Sequence, residues 1–276
     1  MATDGIYCFN TSTIRNCGLT VTEEIELAAS AGYNGIELWV SEIETYLEAG
    51  GTLASLKGVI DGAGIQVPNL IAFFQWANPD ADVRKAALGE AVEVFETAKA
   101  LGCPYVAAPP MGVTDRTDIP IADLATYYAG LLDAVRGMGV TPLLEFWGMS
   151  KTLGSLADAL AIMRAVDSPE VVLLADVFHM AKAGDSYDLL GELDGSQLGL
   201  FHFNDFPGSP EMDAQTDADR VYPGDGAAPM ADILATLKDI GYGGMFSLEL
   251  FNKGYEEAGA EAVTRTGIKK MRALLG

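Results

Sequence analysis

The sequence predicts a single (β/α)8 TIM barrel over residues 1–276. Three observations carry that expectation. Short apolar runs bounded by Gly and Pro alternate with longer amphipathic runs from end to end. Several of the short runs are nearly continuous in Val, Leu, Ile and Phe, as parallel strands covered on both faces should be. No Ser/Pro-rich linker or low-complexity segment interrupts the alternation, and 276 residues falls in the size range of one such barrel.

The first strand run is Ile6–Asn10. Thr22-Glu23-Glu24-Ile25, followed by Leu27, Ala28 and Ala31, reads as a capped amphipathic helix ending at Gly32. Strand runs follow at Gly35–Val40 and Gln66–Phe74. Asp80–Leu101 places Val83, Ala87, Ala91, Val94, Phe95 and Ala98 on one face and closes at Gly102. Strand Tyr105–Ala108 then precedes helix Ile121–Gly137, and Pro142–Trp147 precedes Ser155–Val166. Val171–Phe178 precedes Tyr187–Leu193, Leu198–Asn204 precedes Met230–Gly241, and Met245–Phe251 precedes Tyr255–Leu275. A doubly wound open sheet is the alternative, but its G-x-G-x-x-G turn straight after a strand is missing. Gly62-Ala63-Gly64 precedes a strand and reads as a turn.

Composition narrows the function classes. An apolar fraction of 49% supplies a sizeable core. With 39 Asp plus Glu against 17 Lys plus Arg, the formal charge is −22, a surface that repels phosphate backbones and disfavours nucleic acid. No run of 18 apolar residues offers a membrane span, and the first 30 residues, with Asp4, Glu23, Glu24 and Glu26, lack the layout of a signal peptide. Cys8, Cys17 and Cys103 form no C-x-x-C pair, so free thiols in a reduced cytoplasm are expected. A homodimer is compatible with all of this.

In an α/β barrel the chemistry sits at the C-terminal strand ends. That rule selects Glu37, Glu145, Asp176, His179, His202, Asn204, Asp205 and Glu249. A carboxylate late in a run such as Leu143-Leu144-Glu145-Phe146-Trp147 is expensive to bury unless it is paired or bound to metal. Taken singly, each has an ordinary explanation as a salt-bridged carboxylate, a helix cap or a partly buried imidazole. Their coincidence points further. The fifth to eighth strands end in Glu145, Asp176, His202 and Glu249, and the chain's 2 histidines both lie in this region. Three carboxylates and an imidazole on one mouth repel one another unless a cation lies between them. The mixed oxygen and nitrogen set suits one divalent ion: Mn2+, Zn2+, Co2+ or Mg2+. Asn10 and Glu37 end the first two strands and are candidates to touch substrate, with a structural role for Glu37 equally open. Trp39, Phe73, Phe74, Phe146, Trp147 and Phe251 are candidate walls for a sugar ring.

The stretches Leu-Glu-Phe (144–146), Asp-Val-Phe-His (176–179), Phe-His-Phe-Asn-Asp (201–205) and Ser-Leu-Glu-Leu-Phe (247–251) resemble the xylose-isomerase-like sugar isomerase/epimerase superfamily over nearly the whole chain. Cys-Phe-Asn (8–10), Gly-Tyr-Asn-Gly-Ile-Glu (32–37) and Phe-Phe (73–74) fit as well. Asp219 to Gly226 and Leu-Lys-Asp-Ile-Gly-Tyr (237–242) are similar to the inosose isomerases within it. The resemblance implies a metal held by Glu145, Asp176, His202 and Glu249, with His179 and Arg220 reaching substrate oxygens. It implies Glu145 and Glu249 as the acid/base pair that moves a proton beside a carbonyl through an enediolate. The expected substrate is a small sugar or polyol, a keto-sugar or an inosose, and an unphosphorylated one, because no Gly-rich phosphate cradle is present. Rival readings are a dehydratase of 3-dehydroshikimate and a non-catalytic metal-binding barrel. An abasic-site endonuclease would need more histidines and a basic track.

Overall fold

The computed structural model describes residues 6–276. Its elements run, in chain order, β1 (Tyr7–Asn10), α1 (Val21–Ala31), β2 (Gly35–Trp39), α2 (Val40–Glu48), α3 (Leu53–Ala63), β3 (Asn69–Ile71), α4 (Ala81–Leu101), β4 (Tyr105–Ala108) and α5 (Ile121–Val135). They continue with β5 (Thr141–Glu145), α6 (Leu156–Val166), β6 (Val172–Asp176), α7 (Val177–Ala183), β7 (Leu198–His202), α8 (Met230–Asp239), β8 (Met245–Leu248), α9 (Lys253–Glu256) and α10 (Ala260–Leu275). The strands form a closed parallel barrel in sequence order, and β1 beside β8 completes the circle with Tyr7 opposite Phe246. The expected barrel is the observed one.

Two packed layers divide the apolar residues. Ile71, Ala107, Leu143, Leu174 and Leu200 fill the barrel interior, and the larger cluster lies between strands and helices. Strand side chains alternate between the two faces. Two residues beyond Leu143, Leu174 and Leu200 along the same face come Glu145, Asp176 and His202, so the interior layer is the floor on which those polar groups stand.

Several helix ends follow local chemistry. The cap of α1 is Thr20 with Glu23, not Thr22, and Gly32 closes the helix at φ 97°. Asp80 caps α4, as its sequence suggests. The second crossing, for which the sequence offers no bounds, holds two helices, α2 and α3. Strand β3 starts only after Pro68, which has no N–H to give the ladder, and it ends at Ile71, short of its apolar run. The run Val171–Phe178 is not all strand. Asp176 accepts from the His179 backbone N–H at 2.8 Å, which starts α7 at Val177. Tyr187–Leu193 is a 3-10 turn over Tyr187–Glu192, and the last helical run is split at Gly259, φ 90°.

Candidate active site

At the C-terminal mouth of the barrel lies a cleft of about 440 Å3. Trp39, Phe73, Trp147 and Phe251 wall it, and Glu145, His179, Arg220 and Glu249 face into it. Trp39 packs against Phe73 at 5.1 Å between ring centroids, and Phe73 against Trp147 at 6.1 Å. Phe74 and Phe146 are not walls. Both are buried in the outer layer, where Phe74 meets Phe95, because side chains next to each other in a strand point to opposite faces.

Under the cleft, Asp176, His202 and Glu249 converge, all buried, with ligand atoms within 4.8 Å of one another. Strand register accounts for part of this, since Asp176 stands directly opposite His202 on the paired strand. His202 Nδ1 lies 3.1 Å from Glu249 Oε2 and 3.4 Å from Asp176 Oδ2, yet no aligned hydrogen bond forms there. Its Nε2 faces Glu37 Oε1 at 3.1 Å. A carboxylate only accepts, so Nε2 carries a proton, and Nδ1, facing Glu249 and Asp176, is the position that takes either a second proton or a metal ion. Burial opposes charge on His202, but Glu249 and Glu37 raise its pKa well above the usual range. The pull for a cation at this point, and the two-oxygen, one-nitrogen donor set, fit a divalent metal.

Glu145 is on the same mouth but outside that cluster. Its Oε1 accepts from the Trp147 indole N–H at 3.0 Å. Burial pushes its carboxyl up to about 8, with Glu249 and Asp176 adding to the rise and His202 and the Trp147 bond opposing it.

Arg220 is buried and fully engaged. Nη1 donates to Asp176 Oδ2 at 2.9 Å and to Glu249 Oε2 at 2.8 Å, while Nη2 donates to Asp217 Oδ1 at 2.6 Å and to His179 Nε2 at 3.2 Å. Arginine only donates, so His179 Nε2 accepts and its proton sits on Nδ1, a buried donor without a partner. Burial pushes the His179 pKa down and Arg220 pushes the same way, against Asp176.

Two expected substrate contacts are placed elsewhere. Glu37 is 0% exposed, and its carboxylate is occupied by Asn10, Asn69, Ser247 and His202. Asn10, equally buried, donates to Glu37 and to Glu249 at 3.1 Å and accepts from the Trp39 indole at 3.0 Å. Both orient the groups above them instead of lining the cleft. Asn204 braces Asp176 at 2.9 Å, and Asp205 accepts from the backbone N–H of Gly224, Gly226 and Ala228. A Cβ at Gly226 would fall 2.3 Å from Asp205 Oδ1, which explains the Pro-Gly-x-Gly stretch. Sequence reasoning missed Asp217, Asn69 and Ser247. Asn69 and Ser247 interrupt apolar runs as Glu145 does; Asp217 gives no signal beyond lying three residues before Arg220.

The model of the xylose isomerase-like TIM barrel family matches residues 25–274. The inosose isomerase of Bacillus velezensis is 30% identical over 274 residues, covering 97% of this chain and 96% of the relative. The 3-dehydroshikimate dehydratase of Pseudomonas aeruginosa is 25% identical, but 91% of this chain matches only 39% of that protein. Among solved structures, the IOLI protein with a binding zinc atom superposes with a TM-score of 0.89 at 27% identity, covering 98% of each chain.

Proposed function

We propose that this chain, which belongs to the xylose isomerase-like TIM barrel family and is an isomerase within it, is metal-dependent and acts on an inosose or a neutral keto-sugar. The convergence of Asp176, His202 and Glu249 beneath an aromatic-walled cleft carries the reading. Held there, with Glu145 as a fourth ligand from β5, a divalent ion (Mn2+, Zn2+, Co2+ or Mg2+) would polarise the substrate carbonyl and acidify the neighbouring C–H.

The protein's own groups do the rest. Trp39, Phe73, Trp147 and Phe251 take the C–H faces of the ring. His179 Nδ1–H would direct a donor at a substrate oxygen, and Arg220, whose N–H groups are all engaged, would reach a second by releasing one of its two bonds to Asp217. Glu145 and Glu249 are the acid/base pair: one takes the proton from the acidified carbon and an enediolate results. Return of the proton to the opposite face of the same carbon gives the epimer. Return to the former carbonyl carbon gives the isomer. The proposed setting is the cytoplasm, with no nucleic-acid partner; no described helix is long and apolar enough to cross a membrane.

The dehydratase alternative is disfavoured by charge. Its substrate carries a carboxylate, and Arg220, the cation among the described residues lining the cleft, already pairs with Asp176, Asp217 and Glu249. Asp115 and Asp217 on the rim add to the repulsion. Glu145→Gln and Glu249→Gln should each lower kcat on the substrate by about a thousandfold or more while circular dichroism stays unchanged. Near-normal turnover in either variant removes that residue from the acid/base role.

A further inference from the structure

The β7–α8 connection, residues 203–229, is long and irregular, and it delivers Asp217 and Arg220 to the site. Asp205 and Val221 exchange backbone hydrogen bonds at its base, Ala227 N–H donates to the Phe206 carbonyl at 2.9 Å, and two 3-10 turns, Met212–Ala214 and Asp217–Asp219, lie between. Gln215, 2% exposed, donates to the carbonyls of Pro207 at 2.8 Å and Pro210 at 2.7 Å. Asp205 gathers the later arm by accepting from Gly224, Gly226 and Ala228. None of these ties reaches across to α7.

Lys182 does reach across. From the last turn of α7 its Nζ donates to the carbonyls of Met212 at 2.8 Å, Asp213 at 2.9 Å and Gln215 at 2.7 Å. An ammonium has three protons, so the group is fully used, and it is used on backbone in a chain with 39 acidic side chains. One turn earlier on the same helix, His179 accepts from Arg220, and Asp176, the N-cap, accepts from it too. Asn204, at the start of the connection, holds the first turn of α7 as well, accepting from the Phe178 N–H at 3.0 Å, so Lys182 is the tie that reaches the middle of the connection from the last turn of the helix. On its other flank α7 is packed tight: a Cβ at Gly148, in the β5–α6 loop, would lie 2.7 Å from Lys182 Cβ.

We propose that Lys182 is a positioning residue for substrate binding, whose ammonium clamps the carbonyls of Met212, Asp213 and Gln215 and so fixes Arg220 and Asp217 against His179. The proposal rests on the reading of His179 and Arg220 as substrate contacts. Without the ammonium, three carbonyls lose their shared donor, while Asp205 and Gln215 still hold the two arms. The connection drifts instead of unfolding. A displacement of about 1 Å in a binding group costs on the order of a hundredfold in efficiency.

The test compares wild type and Lys182→Met as full-length, metal-loaded chains on an inosose, with Zn2+ affinity and hydrogen exchange measured alongside. KM should rise by about tenfold or more while kcat stays within about threefold. Zn2+ affinity should fall by much less than KM rises, because Asp176, His202 and Glu249 stand at the barrel strand ends and touch the connection's later part only through Arg220, and exchange should quicken over 206–220 alone. In Lys182→Ala, millimolar propylammonium should restore KM, which a space-filling role does not allow. Unchanged KM, unchanged exchange over 206–220, or loss of Zn2+ binding in step with KM overturns the clamp. Absence of isomerase activity in the wild type instead sinks the functional reading, and the exchange measurement alone then decides whether Lys182 holds the connection.

Discussion

Glu24 sits at 3% exposure on α1 with no cation at its carboxyl among the described residues. Burial, reinforced by Glu42 and Glu23, pushes its pKa to about 9. At pH below the ordinary carboxyl range the folded and unfolded chains both hold this proton, and it costs nothing. As pH climbs toward about 9 the unfolded chain ionises and the folded one does not, so stability falls through that window. Glu24→Gln removes the cost. Its Tm should exceed that of wild type by several degrees at pH 8 and by little at pH 4. Thermal scans across that range check it; a difference independent of pH contradicts the assignment. At this scale the sequence was informative about residues whose chemistry conflicts with their surroundings, such as Glu145, Asp176 and His202 inside apolar runs. It could not separate a side chain that faces the cleft from one beneath it. Asn10 ends its strand just as Asp176 does, while Glu37 is two residues short of the end of β2 at Trp39, and the bonds to Glu249 and His202 place both beneath the cleft.

Among the elements, α7 ties the site together, since its N-cap is a candidate metal ligand and its first turn presents His179. Its approach to the β5–α6 loop leaves no room for a side chain at Gly148, where a Cβ would stand 2.3 Å from the His179 carbonyl. Gly148→Ala should therefore raise KM by about tenfold through displacement of His179, with a far-ultraviolet spectrum like that of wild type. Kinetics unchanged within error would show that the loop yields instead of the helix. The strand order and most strand positions were legible, because runs buried on both faces are apolar throughout. The start of α7 was not. Val177-Phe178 continues the apolar run of β6, and only the Asp176 side chain on the His179 N–H turns the chain into a helix. The break at Gly259 was hidden in the same way, inside a segment that reads as one amphipathic run.

For the whole molecule the dominant quantity is charge, −22 from 39 acidic and 17 basic residues. Arg136 pairs with Asp133 and Glu170, Arg265 with Glu261 and Arg116 with Asp118, but acidic side chains outnumber basic ones more than two to one, so the surface stays strongly acidic. Self-repulsion of that size is screened as the Debye length falls from about 30 Å at 0.01 M to about 3 Å at 1 M salt. Tm should rise by several degrees over that range of NaCl, and a flat or falling Tm would show that the acidic surface carries no net strain. Proton transfer beside a carbonyl leaves a trace that solvent labelling can read. The Zn2+-loaded protein is incubated with an inosose in D2O and followed by proton NMR. Deuterium should enter the carbon next to the carbonyl, a new isomer should appear, and both should be lost in Glu249→Gln. Isomer formed without any solvent label, or label entering at the same rate in Glu249→Gln, would contradict that transfer.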